Sequence, residues 1–471
     1  MRSRFHRHLA SLSPPRGTPR SLLATTAFST VQKLPPETSA RDYAILLLHV
    51  GAEIEHALMV QYLYAAYSLG GPQVAPAQQE LVRGWQETLL GIAKEEMGHL
   101  ITVQNILRLI GGPLCLDRED FPYDSEFYPF SFKLERFSRI SLAKYVYAES
   151  PEDFSGPLAD EIKAIAQDGS SLPLVRVGKL YDRIATLFAD TTLIRDADLR
   201  AATYPFQASW DEWGRGYHGG ARGNTSGAGP AGTPDVIIRP VASRNDALAA
   251  IEAIAQQGEA PKSQDSATPS HFARFLRIYE ELNKHPELAP ARPVPDNPYA
   301  PADLDGDGTT AERPGTAITH PEARAWAHLH NVRYRMLLTY LTHTYRITDG
   351  ASAVGHPSPR GFLIHSTFGE MYIIRAIAGL LVRTPLGEEP GDDRVAAPPF
   401  EMPYTLELPA DEVDCYRLHV DLLDASLRLI DELDPKVGSE RRAYLDALRA
   451  ADRGTRTTIE TILRGSRAGR G

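Results

Sequence analysis

Cysteine is nearly absent from this chain of 471 residues, since Cys115 and Cys415 are the two present. Two cysteines are too few for a disulfide framework or a thiolate zinc site, and their scarcity fits a reducing compartment. We therefore expect any metal ion bound by this chain to be held by histidine and carboxylate ligands.

Long apolar runs and an excess of basic charge are also missing. No stretch approaches the roughly 18 uninterrupted apolar residues of a membrane helix, so we expect no association with a membrane. The net charge of −10 argues against non-specific nucleic-acid binding, which needs a basic surface. Apolar residues make up 42% and charged residues 23% of the chain, which is the balance of a globular protein.

The first 36 residues contain many arginines and serines and no acidic residue. This composition is typical of an organelle transit peptide, and a disordered tail in an arginine-rich proteome is the alternative. We expect a cytoplasmic protein, with a mitochondrial location as the alternative if this segment is a transit peptide.

Helical patterns dominate the rest of the chain. Two long helices are predicted at 40–69 and 77–110, and a Gly-Gly-Pro sequence follows each of them. Further helical patterns occur at 140–149, 157–168, 173–190, 244–257, from Ser270 onward, and at 320–347, 359–383 and 410–433. The strongest strand signal, VIIRPV at 236–241, is short. The sequence therefore predicts an all-α fold built on a helical bundle.

We divide the chain into four parts. These are a disordered or targeting segment at 1–37, a bundle at 38–285, a proline-rich connection at 286–316 and a C-terminal helical region at 317–471 that we expect to pack on the bundle. A glycine-rich stretch at 214–234 has no means of burying a core, so we interpret it as a flexible insertion in the bundle.

Residues 303–314 begin with the aspartate spacing of an EF-hand calcium loop, at Asp303, Asp305 and Asp307. The twelfth position of that loop requires a bidentate glutamate, and here it is Pro314. Weak calcium binding and a plain solvated turn are the two interpretations. Elsewhere, His328 and His330 are interpreted as structural, whereas His365 and Glu370 either line a pocket or pair with Arg375.

The helix predicted at 77–110 carries an acid and an imidazole within an apolar stripe. Glu96 and His99 are three residues apart and project from one helix face. Burying an unpaired carboxylate is costly, and a metal ion that binds both groups removes that cost. The E-x-x-H pattern on a bundle helix is also used by di-iron carboxylate proteins. A hydrogen-bonded pair without metal is the alternative.

The helix predicted at 40–69 offers a carboxylate from a second direction. Glu55 lies on an apolar face and could supply the single carboxylate that such a site takes from a partner helix. Glu53 and His56 form another E-x-x-H on a neighbouring face, and we prefer Glu55 because its flanks are more uniformly apolar. Tyr62, two turns beyond Glu55, either fills the core or forms a hydrogen bond to a ligand.

Four segments together resemble a known family. They are GAEIEHALMVQYLYAAYSLGG at 51–71, AKEEMGHLITVQNILRLIGG at 93–112, QGE at 257–259 and SHFARF at 270–275. These segments look like the ferritin-like domain of the iminophenylpyruvate dimer synthase family, which acts in violacein-type bisindole biosynthesis. The resemblance extends from about residue 40 to 285 and more loosely to the helices at 320–435. It implies a ferritin-like helical bundle with additional C-terminal helices and the metal ligands Glu55, Glu96, His99, Glu259 and His271.

The resemblance also implies an activity. We expect a non-haem iron oxidoreductase that uses Fe²⁺ and dioxygen or peroxide on a small, amino-acid-derived substrate, with Tyr62 or Gln61 orienting the site. We assign Tyr62 as the catalytic residue. Iron storage without substrate chemistry is the alternative function, and a metal-free scaffold is a third. No second E-x-x-H occurs on a later helix, so mononuclear and dinuclear iron both stay open, as do a monomer and a homodimer.

Overall fold

The computed structural model describes residues 37–125, 128–170, 174–213, 236–259, 269–301, 314–348 and 358–468. Within these ranges helices dominate, and the two strands, β1 (Pro298–Tyr299) and β2 (Thr316–Ala317), form one short parallel pair. The predicted all-α class is therefore confirmed. The chain divides into two compact units, Met1–Ala291 (unit 1) and Arg292–Gly471 (unit 2). The insertion predicted at 214–234 and the three aspartates of the calcium-like loop lie outside the described residues.

Unit 1 contains eight helices among the described residues, and all except the short helix at Trp210–Trp213 correspond to helices predicted from the sequence. They are α1 (Ala40–Ser68), α2 (Gln79–Ile110), α3 (Arg139–Ala148), α4 (Pro157–Gln167), α5 (Gly178–Ala189), α6 (Trp210–Trp213), α7 (Arg244–Glu259) and α8 (His271–Asn283). Short 3₁₀ turns occur at Pro76–Gln78, Asp196–Asp198 and Ala201–Phe206.

Helix α1 is a core helix of unit 1. A capping box starts it, because the Asp42 amide donates to the Ser39 hydroxyl and the Ser39 amide donates to the Asp42 carboxylate, at 3.0 and 3.2 Å. By length and composition α1 could cross a membrane, but 78% of its most apolar window is buried inside the protein. Packing against other helices thus accounts for its apolar sequence.

The strongest strand signal, at 236–241, does not form a strand. The segment instead runs along α2, where Thr102 Oγ1 donates to the Ile237 carbonyl at 3.0 Å and accepts from the Arg239 amide at 3.2 Å. Asn105 Nδ2 donates to the Arg239 carbonyl at 2.9 Å. A Cβ at Gly98 would lie 2.8 Å from the Ile237 carbonyl oxygen, so only glycine allows this approach. Polar side chains of α2 thus replace a partner strand.

Unit 2 consists of α9 (Pro321–Thr344), α10 (Pro359–Leu381), α11 (Glu412–Leu433) and α12 (Ser439–Ala468), with a 3₁₀ turn at Asp434–Lys436. Helix α12 was not predicted. Its sequence is rich in arginine and other polar residues, and its apolar contribution to the core is narrow, with Leu445, Leu448 and Ile459 buried. Helix α12 is 30 residues long and amphipathic, but its low overall apolar content left it unpredicted.

One interpretation of a unit 2 side chain is wrong. Glu370 pairs with Arg333 at 3.2 Å and not with Arg375, while the side chain of His365 is exposed. Arg333 also pairs with Asp452 at 2.7 Å, which ties α9 to α12. The unpredicted helix α12 therefore supplies the second acid of this buried ion-pair network.

Candidate metal centre

Unit 1 brings five metal-ligating side chains together. Glu55 comes from the middle of α1, Glu96 and His99 from the middle of α2, Glu149 from the residue after α3, and His271 from the first residue of α8. Each of these residues is at most 3% exposed. Of the five ligands implied by the resemblance, four meet here. The fifth, Glu259, ends α7, and its side chain lies outside the described part of the chain.

The five side chains form two overlapping groups. In the first, one ligand atom each from Glu55, Glu96 and His99 lie within 4.8 Å of one another. In the second, the same holds for Glu96, Glu149 and His271. Because Glu96 belongs to both groups, its two oxygens could bind two neighbouring ions. The two groups could therefore hold one ion or two.

Both histidines turn Nδ1 toward the centre. His99 Nδ1 lies 3.1 Å from Glu96 Oε2 and 3.3 Å from Glu55 Oε2. His271 Nδ1 lies 2.8 Å from Glu96 Oε1 and 3.8 Å from Glu149 Oε2. The two imidazole rings are stacked, with centroids 5.4 Å apart. One ring therefore faces each side of the shared carboxylate.

The other nitrogen of each ring contacts a side chain outside the centre. His99 Nε2 lies 2.9 Å from Gln257 Oε1, and His271 Nε2 lies 2.8 Å from Glu95 Oε2. Arg274 in turn donates to Glu95, with Nη1 3.2 Å from Oε1. Such partners favour the tautomer in which Nε2 carries the proton and the Nδ1 lone pair is available to a metal ion.

Two tyrosines hold the outer carboxylates. Tyr181 donates its hydroxyl hydrogen to Glu55, and Tyr62 donates to Glu149 Oε1 at 2.7 Å. Burial and the neighbouring negative charges raise the pKa of both phenols well above their usual value, so each remains a donor. Tyr62 is thus beside the centre, where it both fills core and contacts a candidate ligand.

The carboxylates repel one another in this water-excluded space. Burial raises the pKa of Glu55 to about 8 and that of Glu149 to about 7, and in each case the charge of Glu96 adds to the increase. Burial acts on Glu96 in the same direction, but the imidazoles of His271 and His99 outweigh it and hold its pKa well below the usual value. A bound cation would relieve the repulsion among the three acids.

Two buried atoms at the shared carboxylate lack a hydrogen bond. Glu96 Oε1 and His271 Nδ1 lie 2.8 Å apart, yet neither makes a hydrogen bond of acceptable geometry to any described residue. Buried polar atoms are nearly always paired. The adjoining cavity of about 10 Å³ also includes Glu55, Glu149 and His99 in its wall and is close to the space that one bound water needs. These oxygen and nitrogen donors fit iron.

Three other residues near the centre can be compared with what the sequence predicted for them. Glu149 was missed because a single glutamate after a short helix has no periodic signal. Glu53 accepts a hydrogen bond from Tyr128 and belongs to neither group, so Glu55 is the acid of α1 that faces the centre. Gln61, expected to orient the site, instead donates to the Lys133 carbonyl at 3.0 Å.

The sequence of this chain is similar to that of known proteins. A family model described as "Ferritin-like" matches residues 48–280, which include every candidate ligand. Dichlorochromopyrrolate synthase of Lentzea aerocolonigenes is 28% identical over 400 residues, which cover 77% of this chain and 36% of that enzyme. The 2-imino-3-(indol-3-yl)propanoate dimerase of Chromobacterium violaceum is 33% identical over 158 residues, 27% of this chain and 15% of that enzyme.

The chain thus spans little more than a third, or less, of the length of these two relatives. A solved structure of a ferritin-like protein from Caulobacter vibrioides is 16% identical, with a TM-score of 0.39, and the match covers 73% of this chain and 97% of that one. The family model and the two enzymes named above agree with the family expected from the residues.

Proposed function

Because residues 48–280 of this chain belong to the ferritin-like family, we propose that it is a non-haem iron oxidoreductase acting on a small, amino-acid-derived molecule. The substrate class we propose is a 2-imino acid with an aromatic side chain, the class named in the Chromobacterium violaceum dimerase. The observation that supports this proposal most strongly is the buried carboxylate of Glu96, shared by two groups of ligands.

The described residues would hold two iron ions in unlike settings. Glu55, Glu96 and His99 would bind one, and Glu96, Glu149 and His271 the other. Bound iron supplies one-electron redox chemistry and Lewis acidity to such a site. The protein's own part is to keep the imidazole lone pairs directed inward and to keep bulk water out.

Apolar side chains beside the centre suit an aromatic substrate. Leu58, Val177, Ile254 and Ala255 line the cavity together with the polar ligands. The cavity itself is too small for an aromatic ring, so we place the substrate at its outer side, between α5 and α7. An imino acid bound there would direct its carboxylate toward the positive centre and its ring toward the apolar wall.

The proposed reaction is an oxidative coupling. Two imino acid molecules, each as its enamine tautomer, form one carbon–carbon bond and lose one hydrogen each. Two electrons and two protons therefore leave the substrates. Dioxygen accepts them to give hydrogen peroxide, or hydrogen peroxide accepts them to give two molecules of water, so the reaction needs one of these two oxidants.

The test is a coupling assay with the full chain. An added amino-acid oxidase generates the imino acid from an aromatic amino acid, with catalase present or absent to separate the two oxidants. We expect a product with the mass of two imino acids less two hydrogens, formed only by chain loaded with Fe²⁺. Glu96→Gln should abolish it, whereas the matched control His328→Gln should retain it.

Two results would contradict the proposal. Equal product with Glu96→Gln and with the unsubstituted chain would show that the centre takes no part. Iron storage would be supported instead by three results together. These are many iron ions bound per chain, a large shell seen by light scattering, and no conversion of substrate.

A further inference from the structure

Unit 2 has its own group of metal-ligating side chains. His343 lies in the last turn of α9, and Glu412, Cys415 and His419 follow one another along one face of α11, at intervals of three and four residues. Ligand atoms of His343, Glu412 and Cys415 lie within 4.8 Å of one another. We propose that these three side chains bind a zinc ion.

The three ligand atoms lie close enough together to bind one ion. His343 Nε2 lies 2.7 Å from Glu412 Oε1, and both His343 and Cys415 are fully buried. The Glu412 side chain is 38% exposed, so the group opens toward solvent on that side. Three protein ligands and one water molecule make a four-coordinate zinc site.

A fourth residue positions the histidine. His343 Nδ1 lies 2.8 Å from His419 Nε2, so Nδ1–H of His343 can donate a hydrogen bond to His419 when Nε2 of His343 binds the metal. His419 is fully buried and stacks on Tyr340 with ring centroids 4.5 Å apart. Ligating histidines usually have an outer partner of this kind, which fixes the ring and its tautomer.

A cation beside the group must be included in its charge balance. Arg346 Nη1 lies 3.2 Å from Cys415 Sγ, and its Nη2 lies 3.8 Å from Glu412 Oε2. A thiolate and a carboxylate contribute two negative charges, so the group keeps one net negative charge with Arg346 included. The guanidinium can remain as a hydrogen-bond donor to the metal-bound sulfur.

The mixture of donors selects the metal. Thiolate and imidazole ligands favour zinc over magnesium or calcium, which prefer oxygen alone. A cysteine binds a metal ion as its thiolate, so Zn²⁺ must displace the thiol proton of Cys415. The ion would link the end of α9 to the start of α11. Such a site would add a thiolate to the histidine and carboxylate ligands expected from the sequence.

Cobalt(II) substitution tests the site in the full chain. After chelation and dialysis, Co²⁺ should give a thiolate-to-cobalt charge-transfer band in the near ultraviolet, and Zn²⁺ should remove it. Cys415→Ser should abolish the band, whereas Cys115→Ser, which alters the other buried cysteine, should leave it unchanged. Glu96→Gln should also leave it unchanged, because that residue belongs to the centre of unit 1.

Affinity measurements give a second test. His419→Phe, which keeps a ring against Tyr340, should weaken Zn²⁺ binding by roughly 10- to 100-fold in a chelator competition. No charge-transfer band in the unsubstituted chain, or an equal band in Cys415→Ser, would overturn the proposal. If circular dichroism shows that Cys415→Ser is unfolded, Glu412→Gln decides, since unchanged Zn²⁺ affinity in that variant would overturn the proposal too.

Discussion

Substituting Glu149 by glutamine should remove one of two iron ions and leave the other. The second group keeps only Glu96 and His271 when Glu149 loses its charge, whereas the first group keeps all three of its ligands. Tyr62 can still form a hydrogen bond to the glutamine, since its hydroxyl lies 2.7 Å from Oε1 of Glu149. The fold around the centre should therefore persist while the second ion is lost.

The expected stoichiometry follows from the shared ligand. The unsubstituted chain should bind two irons, Glu149→Gln and Glu55→Gln one each, and Glu96→Gln none. Removing an outer partner of a metal ligand lowers metal affinity by up to roughly 100-fold. Removing the ligand itself should lower the affinity for the lost iron ion by more than that. Iron is measured by mass spectrometry of the metal after anaerobic loading with Fe²⁺ and desalting.

Glu53→Gln is the matched control for this series. Glu53 lies on α1 two residues before Glu55 and has its own E-x-x-H pattern with His56, but it accepts a hydrogen bond from Tyr128. We expect two irons in this variant. Two irons in Glu149→Gln, or fewer than two in Glu53→Gln, would refute the assignment of ligands.

Three further outcomes are expected. Tyr62→Phe should retain both irons but weaken the one at Glu149 by about 10- to 100-fold in chelator competition, because Tyr62 is an outer partner of that carboxylate; unchanged affinity would oppose this role. Gly258→Ala should weaken the same ion, since the new Cβ would lie 3.0 Å from Glu149 Oε2, while Gly369→Ala, where nothing lies within 4 Å, should not. In unit 2, burial lowers the pKa of His330 to about 3, so the unfolded state binds more protons below pH about 6.5. The free energy of unfolding, measured with urea, should therefore fall between pH 7 and pH 5. This fall should be about 2 kcal/mol smaller in His330→Leu than in the unsubstituted chain, and equal falls would refute the prediction.

The long helices and the first half of the centre were predictable because both depend on local periodicity. Glu96 and His99 interrupt an apolar stripe on α2, and Glu55 does the same on α1, so burial of all three follows from the pattern of neighbours. Their approach across two helices was predictable as well, since both face inward in a bundle.

The second half of the centre depends on where helices end. Glu149 is the residue after α3, and its position is set by the packing of α3 within unit 1 and not by any repeat in the sequence. The Cys415 group in unit 2 was missed for a related reason. Its spacing on α11 is visible in the sequence, but the approach of His343 from α9 is a tertiary contact.

The two halves of the unit 1 centre therefore differ in how firmly they are held. Glu55 and His99 lie near the middle of helices of 29 and 32 residues, where the backbone is fixed by hydrogen bonds on both sides. Glu149 and His271 lie at a helix end and a helix start, where intrahelical bonds are incomplete. Outer partners compensate at this half, since Tyr62 fixes Glu149 at 2.7 Å and Glu95 fixes His271 at 2.8 Å. The half at Glu149 and His271 thus depends on side-chain hydrogen bonds from neighbouring helices, whereas the half at Glu55 and His99 depends on the helical backbone.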